Sequence, residues 1–495
     1  MEGITMKKLF FTLSIFTFLM GLILPAAAVD IPSEVMLFRN VNIFDGKNEK
    51  LLMGYDVLVV KNLIKKIGKD IKIADTYEID VKTGGYKEVP AANTLDLLAN
   101  SEKAVVVYEP EKMIKKEVKV NVIDGQGRTL MPGLTDAHWH VMHAHIASMQ
   151  IFVNDIGYLT LAGAESAEAT LMRGFTTVRD AGGPVFGIKK MIDEGRYLGP
   201  RIYPSGAYIT QTSGHGDFRF PTAMPRKDGR ELLDGELMAW TAVADGVPQV
   251  LRRVRENLMR GASQIKVMAG GGVASLSDPL DVRQYTLEEM KAAVDAAATW
   301  NTYVMVHAYS DVAVRGALEA GVQSIEHGQM ITEDTAKLIK KKGAWLSLQP
   351  LLNDEDRVPF PEDSFENQKF LAMTAGTEKA YALAKKYKLK VAFGTDLQNG
   401  AKIAATQGKA LTKLTRWYEP WEVLKMATST NYELFKMSGP RDPYPGENGV
   451  IKEGALADLL LVDGNPLENL DLVADPEKNF VIIMKDGKIY KNTLN

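Results

Sequence analysis

Eight times between about Leu130 and Met437, a short apolar run gives way to a stretch of helical period. The candidate strands are Thr129–Leu134, Thr176–Val178, Arg201–Tyr203, Gln264–Met268, Thr302–Val306, Gln323–Ile325, Ala344–Leu348 and Val391–Phe393. Thr286-Leu-Glu-Glu289 supplies a capping box for the helix that follows the fourth-strand loop, and Thr332 with Gly343 brackets another helix. Lys340-Lys341-Lys342, just before Gly343, answers the dipole at that helix end. Eight such alternations predict an α/β fold, a (β/α)8 TIM-like barrel over 129–437, whose functional groups lie at the C-terminal ends of the strands.

The chain ends have a different texture. Val35–Phe38, Asp56–Val60, Leu63–Ile67 and Val118–Ile123 are short strand-like runs separated by turns such as Asp45-Gly46 and Asp124-Gly125. The same pattern returns in Ala457–Val462 and Val481–Met484. Neither block has enough strands to stand alone, so 29–128 and 438–495 are expected to combine into one small composite β-sandwich domain. Residues 71–117 interrupt the rhythm and read as an insertion of unassigned role.

With 495 residues, the chain has room for both units, and its formal net charge of -3 gives no electrostatic reason to expect nucleic acid as a partner. The chain has no cysteine, which excludes disulfides, thiolate metal sites and cysteine nucleophiles. Lys7 and Lys8, the apolar run Leu9–Leu24 and Pro25-Ala26-Ala27-Ala28 read as a signal peptide over 1–28. Export to the periplasm or medium is therefore expected, without stable membrane association after cleavage; an uncleaved membrane anchor is the alternative.

The strand ends hold an unusual set of side chains. His138 and His140 follow the first strand, Lys266 lies in the fourth, His307 follows the fifth, His327 the sixth and Asp396 the eighth. Two imidazoles at i and i+2 of an extended segment point to the same side and can reach one cation. Each histidine alone is compatible with a structural role; together on one barrel rim they form a candidate metal centre. Lys266 interrupts the apolar Ile265 and Val267. It either snorkels to the rim or reacts with carbon dioxide to give a carbamate, an oxygen donor able to bridge two cations.

Other motifs carry less. Gly270-Gly-Gly-Val-Ala-Ser275 lacks the lysine and hydroxyl ending of a P-loop, and Ser213 has no nucleophile elbow around it.

The ordered set Asp136-Ala-His138-Trp-His140, Lys266, His307, Glu326-His327-Gly328 and Gly394-Thr-Asp396, led by Gly125–Leu134, closely resembles the binuclear metal-dependent amidohydrolase superfamily. Gly454-Ala-Leu-Ala-Asp458-Leu and Asp463-Gly-Asn-Pro466 extend the resemblance into the tail. Thr212-Ser-Gly-His-Gly-Asp217 and Thr177–Gly183 resemble the imidazolonepropionase-related branch that includes Xaa-Pro dipeptidases and ochratoxinase-like amidases. Lys266 departs from imidazolonepropionase itself, whose site resembles a mononuclear one.

The resemblance implies two divalent metal ions, with zinc the natural choice for imidazole and oxygen donors. His138, His140 and Asp396 would hold one, His307 and His327 the other, and carbamylated Lys266 would bridge them. It further implies attack of a metal-bridging hydroxide on an amide carbonyl, with Asp396 as the catalytic proton shuttle. The expected substrate is a small molecule, a dipeptide or N-acyl amino acid cleaved in dipeptidase or carboxypeptidase fashion, and a homo-oligomer is expected. A cyclic amidase of the hydantoinase or dihydroorotase type, or a non-catalytic exported metal-binding protein, are the alternatives. His143, His215 and Tyr309 are candidate substrate contacts, with surface or packing roles open for each; His145 reads as structural. Arg179 is either an anion partner or half of a structural ion pair with Asp180 or a neighbouring strand.

Overall fold

The computed structural model describes residues 35–72, 76–79, 86–89, 104–108, 115–220, 222, 232–275 and 278–494. The expected signal segment lies outside the described residues, as does much of 71–117. Within the latter, Thr76–Ile79 pairs with Tyr86–Val89, and Ala104–Tyr108 pairs with Lys115–Asp124. No helix among the described residues is long and apolar enough to cross a membrane.

The centre is a TIM-barrel-like set of parallel strands. In order they are Leu134–Trp139, Phe175–Asp180, a third in two pieces (Arg201–Pro204 and Tyr208–Thr210), Ile265–Met268, Val304–Ser310, Ser324–Met330, Trp345–Leu348 and Lys390–Phe393. The apolar residues of these strands and the inner faces of the surrounding helices form a large buried core, with smaller clusters around Trp139, Val178 and Ile202 and around Tyr203, Met305 and Trp345. The capping box at Thr286 opens Leu287–Ala298, and Thr332 caps Glu333–Lys342, which ends on left-handed Gly343.

The first strand is shifted relative to the sequence expectation. Thr129–Pro132 belongs to the terminal sheet, where it pairs with Leu459–Val462 and with Asn42 and Ile43; the barrel strand begins at Leu134. The chain crosses from one sheet to the other at Gly133, where a Cβ would come 2.2 Å from Thr176 Oγ1. His138 is therefore within the strand and His140 immediately past it.

The third strand breaks at Gly206, in left-handed conformation with φ +77. The Asn257 side chain fills the gap, accepting from Ala207 N at 3.1 Å and donating to Ala207 O at 3.0 Å. An unexpected short strand, Thr241–Val243, pairs on the outside of the second piece.

Between the eighth and first strands, side chains complete the closure. Asn431 accepts from Phe393 N and donates to Phe393 O and Thr135 O, while Asp396 N donates to His138 O at 2.8 Å.

Strands from both ends of the chain lie side by side in one nine-stranded sheet: Lys488–Asn492, Phe480–Lys485, Leu459–Val462, Thr129–Pro132, Val35–Ile43, Leu52–Val60 and Leu63–Gly68, with Lys115–Asp124 and Ala104–Tyr108 branching from Val35–Ile43. Its apolar face is a separate buried cluster including Met36, Phe38, Val57, Leu459 and Ile482. It joins the barrel through the buried Arg201, whose guanidinium donates to both oxygens of Asp458 at 3.0 and 3.2 Å. This sheet fixes the base of the barrel and leaves the rim free for chemistry.

Candidate active site at the barrel rim

The strand ends open into a cavity of about 170 Å³. His138, His140, Lys266, His307, His327 and Asp396 all line it, as do His143, His215 and Tyr309. The chain thus converges five strand ends and six candidate ligands on one space.

Among the described residues, His138, His327 and Asp396 bring one ligand atom each within 4.8 Å of one another. This triad spans the two halves of the ligand set. Asp396 Oδ1 is 3.6 Å from His138 Nε2 and 3.1 Å from His140 Nε2. Lys266 Nζ is 3.4 Å from His138 Nε2, and the His307 and His327 rings are 4.4 Å apart.

Three of the four imidazoles are held by a second nitrogen. His138 Nδ1–H donates to Glu326 Oε2 at 2.9 Å, His140 Nδ1 faces the Gly182 carbonyl at 3.4 Å and the Tyr208 hydroxyl at 3.2 Å, and His307 Nε2–H donates to Gly271 O at 3.1 Å. Such partners set tautomer and ring angle and leave the opposite lone pair for a cation. His327 Nδ1 is buried with no hydrogen-bond partner among the described residues. Burial pushes three of these rings downward: His327 to about 3, and His138 and His307 well below their ordinary value, with Lys266 lowering His138 further and His215 lowering His307. Neutral imidazoles, a carboxylate and an orphaned ring nitrogen are the donor chemistry a divalent transition metal requires, so the residues fit.

Lys266 is 1% exposed, and burial lowers its ammonium to about 8 despite the carboxylates of Glu326 and Asp396 nearby. It does not snorkel to solvent. Two side chains sit on left-handed backbone, His327 at φ +79 and Asp396 at φ +54. Non-glycine residues held there are strained, and such strain collects at functional sites.

The supporting shell contains residues that the sequence reading left unassigned or undecided. Glu326, fully buried, accepts from His138, from Ser324 Oγ at 2.6 Å and from Arg179 Nη2 on both oxygens at 2.7 Å. Arg179 also donates to Ala137 O and Tyr303, so it is the structural ion-pair member rather than a substrate anion site, and its partner is Glu326, not Asp180. Asp180 instead accepts the amides of Val141 and Gly182, and burial raises its carboxyl to about 7. Asp136 ties the eighth strand to the first by accepting from Thr395 N, Thr395 Oγ1 and Gln407. A charged residue inside an apolar strand, Arg179 beside Val178 or Glu326 beside Ile325, is the signal that points to this shell.

His143 stacks on Trp240 at 4.6 Å and contacts Gln398 and Tyr208. Tyr309 packs edge-on against His307. His215 stacks on His307 at 4.2 Å, whereas His145 lies 3.8 Å from Glu165 and away from the cavity lining.

Comparison with known proteins places this geometry. The amidohydrolase family model matches residues 129–491. Ochratoxinase from Aspergillus niger is 32% identical over 411 residues, covering 80% of this chain and 82% of its own. A crystal structure of an amidohydrolase superposes with a TM-score of 0.76 at 31% identity, covering 93% of this chain and 100% of the other. A prolidase crystallised with N-methylphosphonate-L-proline gives 0.74 at 30% identity, again over 93% and 100%. With the family model spanning the barrel, the rim residues and the C-terminal strands, this chain belongs to the amidohydrolase family and is a hydrolase of amide bonds.

Proposed function

We propose that this protein is a divalent-metal-dependent amidase that releases an amino acid from an apolar dipeptide or N-acyl amino acid. The observation that carries the reading is the cavity itself, where buried neutral imidazoles, Asp396 and a lysine lowered to about 8 meet. His138, His140 and Asp396 would hold one cation, His307 and His327 a second, with zinc as the expected metal and a carbamate on Lys266 as the shared donor. Divalent cations at such donors supply Lewis-acid polarisation of an amide carbonyl and lower the pKa of water toward about 7.

The chain's own residues supply the rest. Carbon dioxide adds to the neutral Lys266 amine, forming a nitrogen–carbon bond with loss of one proton, and burial raises the neutral fraction of that amine near neutral pH. Asp396 takes a proton from the attacking water and passes it to the leaving nitrogen. Gln398 Nε2 donates to Asp396 Oδ1 at 2.6 Å and steadies it for that exchange.

The upper wall is apolar, with Phe152 and Phe218 on one side and Leu351, Phe360 and Phe370 on the other. It suits a substrate bearing an apolar side chain or acyl group. Export through the segment Lys7–Ala28 is part of the reading, as is self-association: Val153 and Leu161 are each 73% exposed, and Met149 and Ile156 are exposed in the same stretch of chain after the first barrel strand. Light scattering of the purified protein tests the second, and fractionation of the natural host tests the first.

Purified protein loaded in turn with zinc, manganese and cobalt is assayed on apolar and Xaa-Pro dipeptides, N-acyl amino acids and cyclic imides. Cleavage of the linear amides is expected; activity on the imides alone would overturn the proposal. Incorporation of labelled carbon dioxide, followed by carbon NMR of wild type and Lys266→Arg, tests the carbamate: no lysine-dependent signal refutes it.

A further inference from the structure

The loop after the fourth strand carries side chains that the reaction above does not use. His215 Nδ1 lies 3.0 Å from Ser275 Oγ and 3.3 Å from Asp278 Oδ2. Asp278 is 1% exposed, and the same Oδ2 accepts the Gly272 amide at 2.6 Å. Ser275 Oγ donates its hydrogen to Gly272 O at 3.2 Å and so accepts from His215, and a carboxylate only accepts; both neighbours therefore place a proton of His215 on Nδ1. Nε2 is then the nitrogen left to meet a substrate in the cavity that His215 lines.

Two further features hold the arrangement. Gly272 lies directly under the ring: a Cβ there would be 2.1 Å from His215 Cε1 and 2.5 Å from Nε2. Lys369, 4% exposed on the helix Phe365–Thr374, donates to the carbonyls of Gly272 at 2.6 Å, Ser275 at 2.5 Å and Asp278 at 3.4 Å. A buried ammonium spent on three loop carbonyls fixes that loop against the opposite side of the mouth.

We propose that Asp278 is a positioning residue: it fixes His215 as the Nδ1–H tautomer, so that Nε2 accepts a hydrogen bond from a substrate N–H rather than donating to a carbonyl. Lys369 holds the loop at the distance this requires. The assignment rests on the amidase reading of the cavity, and it names the polarity of one substrate contact: a nitrogen-bound hydrogen beside His307.

The test has two arms on the full-length, metal-loaded protein. Nitrogen NMR with histidine-selective labelling identifies the His215 resonance by its loss in His215→Asn. The Nδ1–H tautomer is expected in wild type and in Asp278→Asn, which keeps an acceptor oxygen, with a mixture or the other tautomer in Asp278→Ala. In the kinetic arm, Asp278→Ala lowers kcat/KM about 10- to 100-fold, the range for removing a histidine's outer partner. In the His215→Asn background the same change costs less than about twofold, because the two residues act as one unit. Asp278→Asn restores most of the rate. An Nε2–H or doubly protonated His215 in wild type overturns the proposal, as do additive effects of the two substitutions. If the wild type cleaves no amide, the amidase reading falls, while the NMR arm still decides the tautomer.

Discussion

Arg179→Met should be among the most damaging single substitutions in the barrel interior, although Arg179 lines no part of the cavity. Its side chain is fully buried and donates to Ala137 O at 2.6 Å, Tyr303 Oη at 3.1 Å, Ser324 Oγ at 3.3 Å and both oxygens of Glu326. Burial alone would lower the guanidinium, but the Glu326 carboxylate holds it charged. Methionine removes these bonds and leaves a buried carboxylate without its counter-charge, which costs about 3–5 kcal/mol. Glu326→Gln keeps the shape but strands the guanidinium, at similar cost. Replacing both by apolar residues removes the uncompensated charge, so Arg179→Met/Glu326→Leu should lose less than the sum of Arg179→Met and Glu326→Leu alone by about 2 kcal/mol or more. What remains is chiefly His138 Nδ1–H without an acceptor, about 1–3 kcal/mol. Urea unfolding of chelator-treated protein separates these terms from metal binding. Additive losses, or a loss below about 1 kcal/mol for Arg179→Met, would refute the argument that the pair is a mutually compensated buried unit.

Glu326→Gln should also weaken metal affinity about 10- to 100-fold, through the lost grip on His138, as measured by competition with a chromogenic chelator. Asp396→Asn should lower kcat at least about 100-fold on any cleaved amide, with the fold intact by circular dichroism. Gly272→Ala should reduce activity and displace the His215 resonance without unfolding the protein, since the added methyl occupies the ring's place. Lys485, buried against Gly199 O, is lowered by burial from 10.5 to about 8. Below about pH 8 both folded and unfolded states carry the proton and the burial cost is fully present. Between about 8 and 10.5 the unfolded state binds the extra proton, so stability rises with pH, by about 1.4 kcal/mol per unit at most. That rise should be missing from Lys485→Met when the two proteins are compared in urea from pH 7 to 10.

The barrel was legible because its strands are apolar on both faces and separated by well-capped helices. The first strand was misplaced for the same reason: the apolar run Leu130–Leu134 belongs mostly to the terminal sheet, while Thr135, Asp136 and His138 make the true strand look polar. The broken third strand was hidden because its missing neighbour is the Asn257 side chain, supplied from a helix far along the chain. Ligand candidates could be named one by one from strand ends. Their support could not, because Arg179 and Glu326, or Asp278 and Lys369, meet only once the barrel closes. Histidines at comparable spacing also differ in role: His145 faces Glu165 while His143 turns to the cavity, a difference set by tertiary packing.

The most direct measurement is metal content against amide hydrolysis on the same preparation, before and after chelation. Two divalent ions per chain, loss of cleavage as they are removed and recovery on adding zinc are expected of a metal-dependent amidase. Full hydrolysis by metal-free protein would contradict that reading.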